Sequence, residues 1–449
     1  MVHRFPHTSH QPLLRAKKSS LLLPSPSMRV AALFSGGQAP GGHNVLAGIF
    51  DALKELNPNN QLIGFLNGTE GMLQEAYLEL TAEHIARYRN QGGFDLLGSG
   101  RTKIGSKEQL QRVLEVTSHL KLDGIIIIGG DDSQTNSAIL AEYLLHCSSG
   151  ITVIGVPKTI DGDLQNSCTA IPFGFDTATK IYAELIGNIA KDALSSKKYY
   201  HFIKLMGRTA SHVALECSLK VHPNLTLISE ENKGFEEIVQ EISELVIRRA
   251  ILSKNFGILL IPEGIGEQMI VKKELSLHAP RDPHGNVQLS EVAIEKIISK
   301  AVQTKIGEKA LFHPLSHFFG YEGRSGLPTN FDANYSYTLG KTAVLLTAHR
   351  QTSYMAFVKH LESPPSKWEV GGISLVSQME WVQREGATIP VIKKTLVDLQ
   401  GTGYQLLQNS RSKWALQEKY QVPGPIQFFG NREITDTIPL ILKKEPLEK

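Results

Sequence analysis

The run Gly124-Ile125-Ile126-Ile127-Ile128-Gly129-Gly130 constrains the fold of this chain more than any other stretch. Four isoleucines in a row leave no polar face, and the run is too short for a buried helix. It therefore reads as a strand covered on both sides, the condition met in parallel sheets. Parallel strands need a crossover connection, usually a helix, and the flanking sequence supplies them. Val30–Phe34 leads through a glycine-rich turn to a helical pattern from about His43 to Leu56, and Gln61–Phe65 reads as the next strand. Ser106 and Gln109 have the capping-box spacing, and Leu110, Val113, Leu114 and Thr117 form the inner face of the helix they open. After the isoleucine run come a helix to about Leu145 and a strand over Ile151–Val156. The rhythm continues with a helix from Asp176, a strand at Tyr199–Leu205, a helix from about Thr209 and a strand near Leu225–Ile228. A helix over residues 235–252 and a strand at Phe256–Ile261 follow. Repeated βα units with right-handed crossovers predict an α/β fold of doubly wound, mostly parallel sheets, and the length suggests two of them.

Composition narrows the classes. With 449 residues, 41% apolar and 20% charged, the chain has the make-up of a globular protein of more than one domain. A formal charge of +3 gives no footing for nucleic acid or a membrane surface, and no apolar run nears the roughly 20 residues of a membrane helix. Cys147, Cys168 and Cys217 have neither metal nor disulfide spacing, which suits a reducing compartment such as the cytoplasm. Residues 1–27, basic and proline-bearing with no acid before Asp51, read as a flexible extension rather than an amphipathic targeting helix.

Ligands of such sheets bind at the carboxyl ends of the strands, and three expected strand ends are chemically unusual. Ser35 to Gly42 carries four glycines before a helix, a backbone that can wrap an anion at the helix N-terminus. Steric demands of a tight turn would give the same composition. Gly129-Gly130-Asp131-Asp132-Ser133 places two carboxylates together; at ~4 Å and an effective dielectric of 20 they would repel by about 4 kcal/mol. That arrangement asks for a cation, and hard oxygen ligands beside phosphate favour Mg²⁺. Asp132 or Ser133 as a helix N-cap is the structural alternative. The third end is Pro157 to Asp163, "PKTIDGD". Lys158 can neutralise phosphate, Asp161 can accept a proton from an attacking hydroxyl, and Asp163 can stand near the metal or orient a partner. Together the three ends point to phosphoryl transfer. His43, His212, His222, His313 and His317 show no ligand spacing and are expected to be structural.

The stretches "LFSGGQAPGGHNV", "IIGGDDSQTN", "PKTIDGDL", "KYYHFIKLMGRTASH", "IPEG" and "HFFGYEGRSGLPTNFDANYSYTLG" occur in order and extend to "GPIQFFG" near Phe429. They resemble the phosphofructokinase family, and within it the long pyrophosphate-dependent type that includes the catalytic beta chain of the plant enzyme. The resemblance implies an active site in the cleft between the two sheets and transfer from pyrophosphate to the 1-hydroxyl of fructose 6-phosphate, reversibly and with Mg²⁺. It places Gly36, Gly37 and Arg101 at the donor, Asp131 at the metal and Asp161 as general base. Thr159, Ile160, Met206, Gly207, Arg208, Glu263, Tyr321, Glu322, Gly323 and Arg324 would form the sugar-phosphate site, with Lys198 and Tyr199 reaching a neighbouring subunit. Relatives that use ATP have glycine where Asp132 and Lys158 stand, so this pair implies pyrophosphate: Asp132 would repel a nucleotide's α-phosphate, and Lys158 would stabilise the departing phosphate.

The implied division is residues 1–27 as extension and 28–171 with a returning segment near 332–395 as the donor and magnesium domain. Residues 172–331 would be the sugar-phosphate domain and 396–449 a C-terminal helical and extended segment. A homodimer, or a heteromer with a regulatory chain, is implied as well. The chain departs from the family at Thr102, where an acid is usual, in the loop "GFLNGTEGM", and in a shorter insertion after Gly264; its N-terminus also begins late. Two other readings remain at this level: an ATP-dependent kinase of related fold, and a non-catalytic regulatory subunit.

Overall fold

The computed structural model describes residues 1–17, 26–272, 289–384 and 387–422. Its strands in chain order are β1 (Leu14–Arg15), β2 (Arg29–Ser35), β3 (Gln61–Phe65), β4 (Tyr77–Glu79), β5 (Gly124–Gly129), β6 (Thr152–Pro157) and β7 (Tyr200–Leu205). Then follow β8 (Leu225–Thr226), β9 (Gly257–Pro262), β10 (Pro314–Phe319), β11 (Tyr354–Lys359), β12 (Glu369–Ser374), β13 (Met379–Arg384) and β14 (Ala387–Ile392).

The isoleucine strand lies well inside the first sheet, whose order is β1-β12-β11-β6-β5-β2-β3-β4. Ile126 pairs with Ala32 on one side and Ile154 on the other, both in parallel register. All six residues of β5 are buried, as a strand with helices on both faces requires. The parallel expectation holds in the middle of the sheet and fails at its edges. β4 runs antiparallel to β3, β12 to β11, and β1 to β12. β4 and β12 follow β3 and β11 through short connections that need no crossover helix, and β1 adds to β12 from the other end of the chain.

The second sheet, β10-β7-β9-β8, is wholly parallel. Tyr200, Phe202, Leu259, Ile261, Ile298 and Val302 build the core on one face. On the other, Ile203 and Leu205 join a cluster that continues through the helix Phe175–Ser196 to Ile128 and Val156 of the first sheet. The chain passes to the second sheet along that helix and returns along the helix Asn330–Ala348. Asp332, fully buried, ties the two crossings: it accepts from Gly174 N (3.0 Å), Thr177 N (2.8 Å) and Thr177 Oγ1 (2.6 Å). The returning helix packs closely on Gly42–Leu56 because Gly48 faces the Tyr337 carbonyl and Gly340 the Val45 carbonyl, where a Cβ would collide.

Two expectations are corrected. Residues 1–17 are not a flexible extension. Phe5 is buried among Ala138, Leu164, Met355 and Phe357, Thr8 Oγ1 donates to Glu142 Oε2 (2.7 Å), and β1 covers the edge of β12. Neither Asp132 nor Ser133 is an N-cap. The helix Asp131–His146 is capped by Gly130 with no side-chain bond, so both aspartates fall in its first turn, where the dipole favours them. The capping box of Ser106 and Gln109 is formed as expected, with Val116 buried beside Leu110, Val113 and Thr117 while Leu114 stays partly buried. The hairpin β13–β14 was not foreseen. The C-terminal segment contributes a helix, Thr402–Leu416, whose Leu407 and Trp414 pack with Leu215 and Ile228. The "GPIQFFG" stretch and much of the shortened insertion lie outside the described residues.

Candidate active site

The carboxyl ends of the parallel strands of both sheets open on one cleft of about 420 Å³. On the side of the first sheet, the β2 end presents Ser35, Gly36, Gly37 and Gln38. Gly36 has φ 86, a left-handed backbone that glycine adopts without strain, and a Cβ there would lie 3.3 Å from Lys158 Nζ. A Cβ on Gly37 would run into the Arg324 guanidinium. The glycines thus let two cations reach the backbone. Ser133 Oγ donates to Ser35 Oγ (2.8 Å), and Gln134 Nε2 donates to the carbonyls of Gly129 and Val156 (2.9 Å each). These bonds hold the ends of β2, β5 and β6 in fixed relation.

Lys158 continues β6, with its N–H on the Gly129 carbonyl (3.0 Å) and only 5% of its surface exposed. Burial lowers its pKa to about 8, with Arg324 and Arg101 acting in the same direction and Asp161 and Asp131 against it. Asp161, Asp163, Asp131 and Asp132 line the same cleft. Burial raises the Asp161 carboxyl, Glu263 adds to this, and Lys394, Arg208 and Lys158 oppose it. Asp163 is pushed up to about 7 by burial and by Asp161, against the charge of Lys394.

The second sheet supplies Met206 and Arg208 after β7, Glu263 after β9, and Tyr321 and Arg324 after β10. Glu263 Oε2 accepts from Gly207 N (3.2 Å), which fixes the "MGR" turn against β9. The Tyr182 hydroxyl donates to the Gly320 carbonyl (2.5 Å) and its ring lies under Gly323, so the turn carrying Arg324 rests on the crossing helix. Arg324 stacks on Tyr321, 5.3 Å from the ring centroid.

The structure therefore gathers Gly36, Gly37, Arg101, Asp131, Asp132, Lys158, Thr159, Ile160, Asp161, Met206, Arg208, Glu263, Tyr321 and Arg324 around one space. Gly207, Glu322 and Gly323 support this wall from behind; Glu322 Oε2 accepts from Gly320 N (2.8 Å). Lys198 and Tyr199 lie at the opposite end of β7, exposed and away from the cleft of their own chain. Lys394, Asn136 and Ser290 also line the cleft and were not singled out from the sequence. Nothing in "VIKKTL" marks Lys394, since a paired lysine usually reads as a solvated turn. Among the described residues no group of three or more His, Cys, Asp or Glu could hold a metal by itself. His43 and His212 have structural partners, the carbonyls of Gln91 (3.3 Å) and Thr395 (2.9 Å).

The family described as phosphofructokinase matches residues 29–347, which take in the second sheet, strands β2 to β6 of the first and every wall of the cleft apart from Lys394. This chain belongs to the phosphofructokinase family. It is 44% identical to the pyrophosphate–fructose 6-phosphate 1-phosphotransferase of Porphyromonas gingivalis, over 98% of this chain and 91% of that one. It is 42% identical to subunit beta 2 of the Arabidopsis thaliana enzyme of that name, over 93% of this chain and 84% of the other. The pyrophosphate-dependent phosphofructokinase structure from Nitrosospira multiformis superposes with a TM-score of 0.66 over 89% of this chain and 95% of that one, at 18% identity. That likeness concerns the fold. The expected phosphofructokinase architecture, two sheets facing one cleft, is the one observed.

Proposed function

We infer that this phosphofructokinase transfers a phosphoryl group from pyrophosphate to the 1-hydroxyl of fructose 6-phosphate, giving fructose 1,6-bisphosphate and phosphate, in either direction. The observation that carries this reading is that Asp132 and Lys158 both stand on the donor wall of the cleft, the Lys158 ammonium against the Gly36 backbone. That wall suits a small, compact polyanion. The names of the relatives agree with it.

The first sheet forms the donor side and the second the sugar-phosphate side. Asp161 takes the proton of the 1-hydroxyl as the oxygen attacks phosphorus, and the bond to the leaving phosphate breaks while Lys158 neutralises its charge. Arg208 and Glu263 orient the sugar, and Arg324 spans from its phosphate toward the donor loop. Mg²⁺ requires few protein carboxylates because substrate phosphates complete its shell, so the Asp131–Asp132 pair in a helix's first turn fits it. Bound there, the metal would offset charge on the phosphate oxygens, with Asp131 as its protein ligand. Lys198 and Tyr199 would serve a partner's site in a homodimer or heteromer. Among the described residues no helix is long and apolar enough to cross a membrane. Free Cys147, Cys168 and Cys217 suit a reducing compartment, and on that ground the enzyme is read as cytoplasmic.

The test uses the purified chain alone with fructose 6-phosphate, Mg²⁺ and either pyrophosphate or ATP. Bisphosphate should form with pyrophosphate and not with ATP. Faster turnover with ATP would refute the donor assignment, and a folded chain inert with both would be a regulatory subunit.

A further inference from the structure

Lys394 lies outside the family match and outside every motif considered above, on the connection from β14 to the helix Thr402–Leu416. Its side chain nonetheless enters the cleft. The ammonium stands 3.3 Å from Asp131 Oδ2 and 3.8 Å from Asp163 Oδ2. Its neighbour Lys393 faces solvent, so the two lysines are not interchangeable members of a basic run.

The backbone on both sides of Lys394 is fastened to the elements that carry those two carboxylates. Ile392 N donates to Thr135 Oγ1 (2.9 Å), a hydroxyl that itself donates to the Asp131 carbonyl (2.9 Å). Thr395 N donates to the Asp163 carbonyl (2.8 Å), and Thr395 Oγ1 to that of Gln165 (3.0 Å). These bonds already secure the segment, so a salt bridge is not needed to hold it there. The ammonium also keeps a quarter of its side chain open to the cleft, at 26% exposure, and neither carboxylate contact is short. With three donors on the nitrogen, there is room for a third acidic oxygen arriving from the cleft.

Resting on the phosphoryl-transfer reading, we propose that Lys394 is a further catalytic residue, whose ammonium pairs with the phosphoryl group in transit and rests on Asp131 and Asp163 between turnovers. It forms no covalent bond and releases no proton. It offsets charge on the non-bridging oxygens while the bond to the leaving phosphate breaks and the bond to the sugar oxygen forms. Lys158 serves the departing end of the donor, and Lys394 approaches from the side of Asp163, so the group moves between two fixed cations.

The experiment compares Lys394→Met, Lys394→Arg and the control Lys393→Met in the whole chain. It reads kcat, KM for fructose 6-phosphate, melting temperature, and calorimetric binding of imidodiphosphate with Mg²⁺. Lys394→Met should lower kcat about 10- to 100-fold, as loss of one charge-assisted contact does. It should weaken imidodiphosphate binding about tenfold while KM for the sugar phosphate stays within about threefold. Lys394→Arg should regain part of both losses, and Lys393→Met should match the parent. Wild-type kcat in Lys394→Met overturns the proposal. So does a loss of kcat that tracks a falling melting temperature with imidodiphosphate binding unchanged, which would make the lysine a strap. If the parent chain itself fails to turn over, the functional reading falls, and undiminished imidodiphosphate binding by Lys394→Met then refutes the cation separately.

Discussion

Between Asp161 and Lys158, burial works against both charges at once, and each is the other's partial remedy. The raised carboxyl of Asp161 must be ionised to accept a proton, so activity falls as pH drops, starting at a higher pH than for an exposed aspartate. Lys158 must be charged, so kcat/KM should fall again as pH rises through about 8. A kcat/KM profile checks both limbs, and Lys158→Arg should remove the alkaline one, because a guanidinium stays charged there. Asp161→Ala should lower kcat by about 10²–10⁴-fold with substrate affinity largely kept; near-native kcat in a folded variant would assign the base elsewhere. The donor pair separates in a cross-assay. Asp132→Gly removes charge and bulk and should admit ATP measurably. Lys158→Gly should slow pyrophosphate turnover about ten- to a hundredfold without admitting ATP. At this scale the sequence was legible where "GGDDS" and "PKTIDGD" put charge at a strand end that usually closes in a neutral turn, while "SGGQAPGG" gained its meaning only beside them. Lys394 carries no such signal. Its meaning arises only from a connection that brings it back over Asp131 and Asp163.

As far as Ile261 the longer helices and interior strands were readable, Gly42–Leu56 from its period and Gly124–Gly129 from its unbroken apolar run, whereas the helix Asn330–Ala348 and the interior strand β11 beyond it were not read. Edges were not readable. A two-residue strand such as Leu14–Arg15 has no period, and its partner Gly371–Gly372 lies at the far end of the chain. Phe5 likewise gave no sign that Met355 and Phe357 would bury it. The most consequential junction between elements is Asp332, which clasps the start of Phe175–Ser196 from within Asn330–Ala348. Asp332→Ala strands two buried N–H groups, while the Thr177 hydroxyl keeps Thr329 Oγ1 as a partner at 3.4 Å. At about 1–3 kcal/mol for each unsatisfied group, the loss should be at least ~2 kcal/mol. Chemical denaturation of the variant checks this; a change under 1 kcal/mol would mean the helices hold each other without the clasp.

For the molecule as a whole, the two sheets are joined by a continuous apolar cluster, with Ile128 and Val156 on one side and Ile203 and Leu205 on the other. The cleft is therefore set by a packed core and by two covalent crossings. Donor and sugar phosphate bound together should stabilise the native state by about 2.7 kcal/mol per ligand at a hundredfold excess over Kd. A melting scan with each ligand and with both would show whether the increments add. The order of strands in the first sheet also governs how the chain is made. β6 finds its outer neighbour β11 only after the second sheet has been synthesised, since Tyr354 pairs with Ile154. A ribosome will thus have released some two hundred residues while the edge of β6 stands bare, a surface prone to wrong pairing. A chain stopped after residue 330 should be aggregation-prone and open to protease, and should recover compactness when residues 331–422 are supplied as a separate fragment. Until β11 in the last quarter of the chain has emerged, the nascent enzyme presents the kind of unpaired edge that chaperones shield.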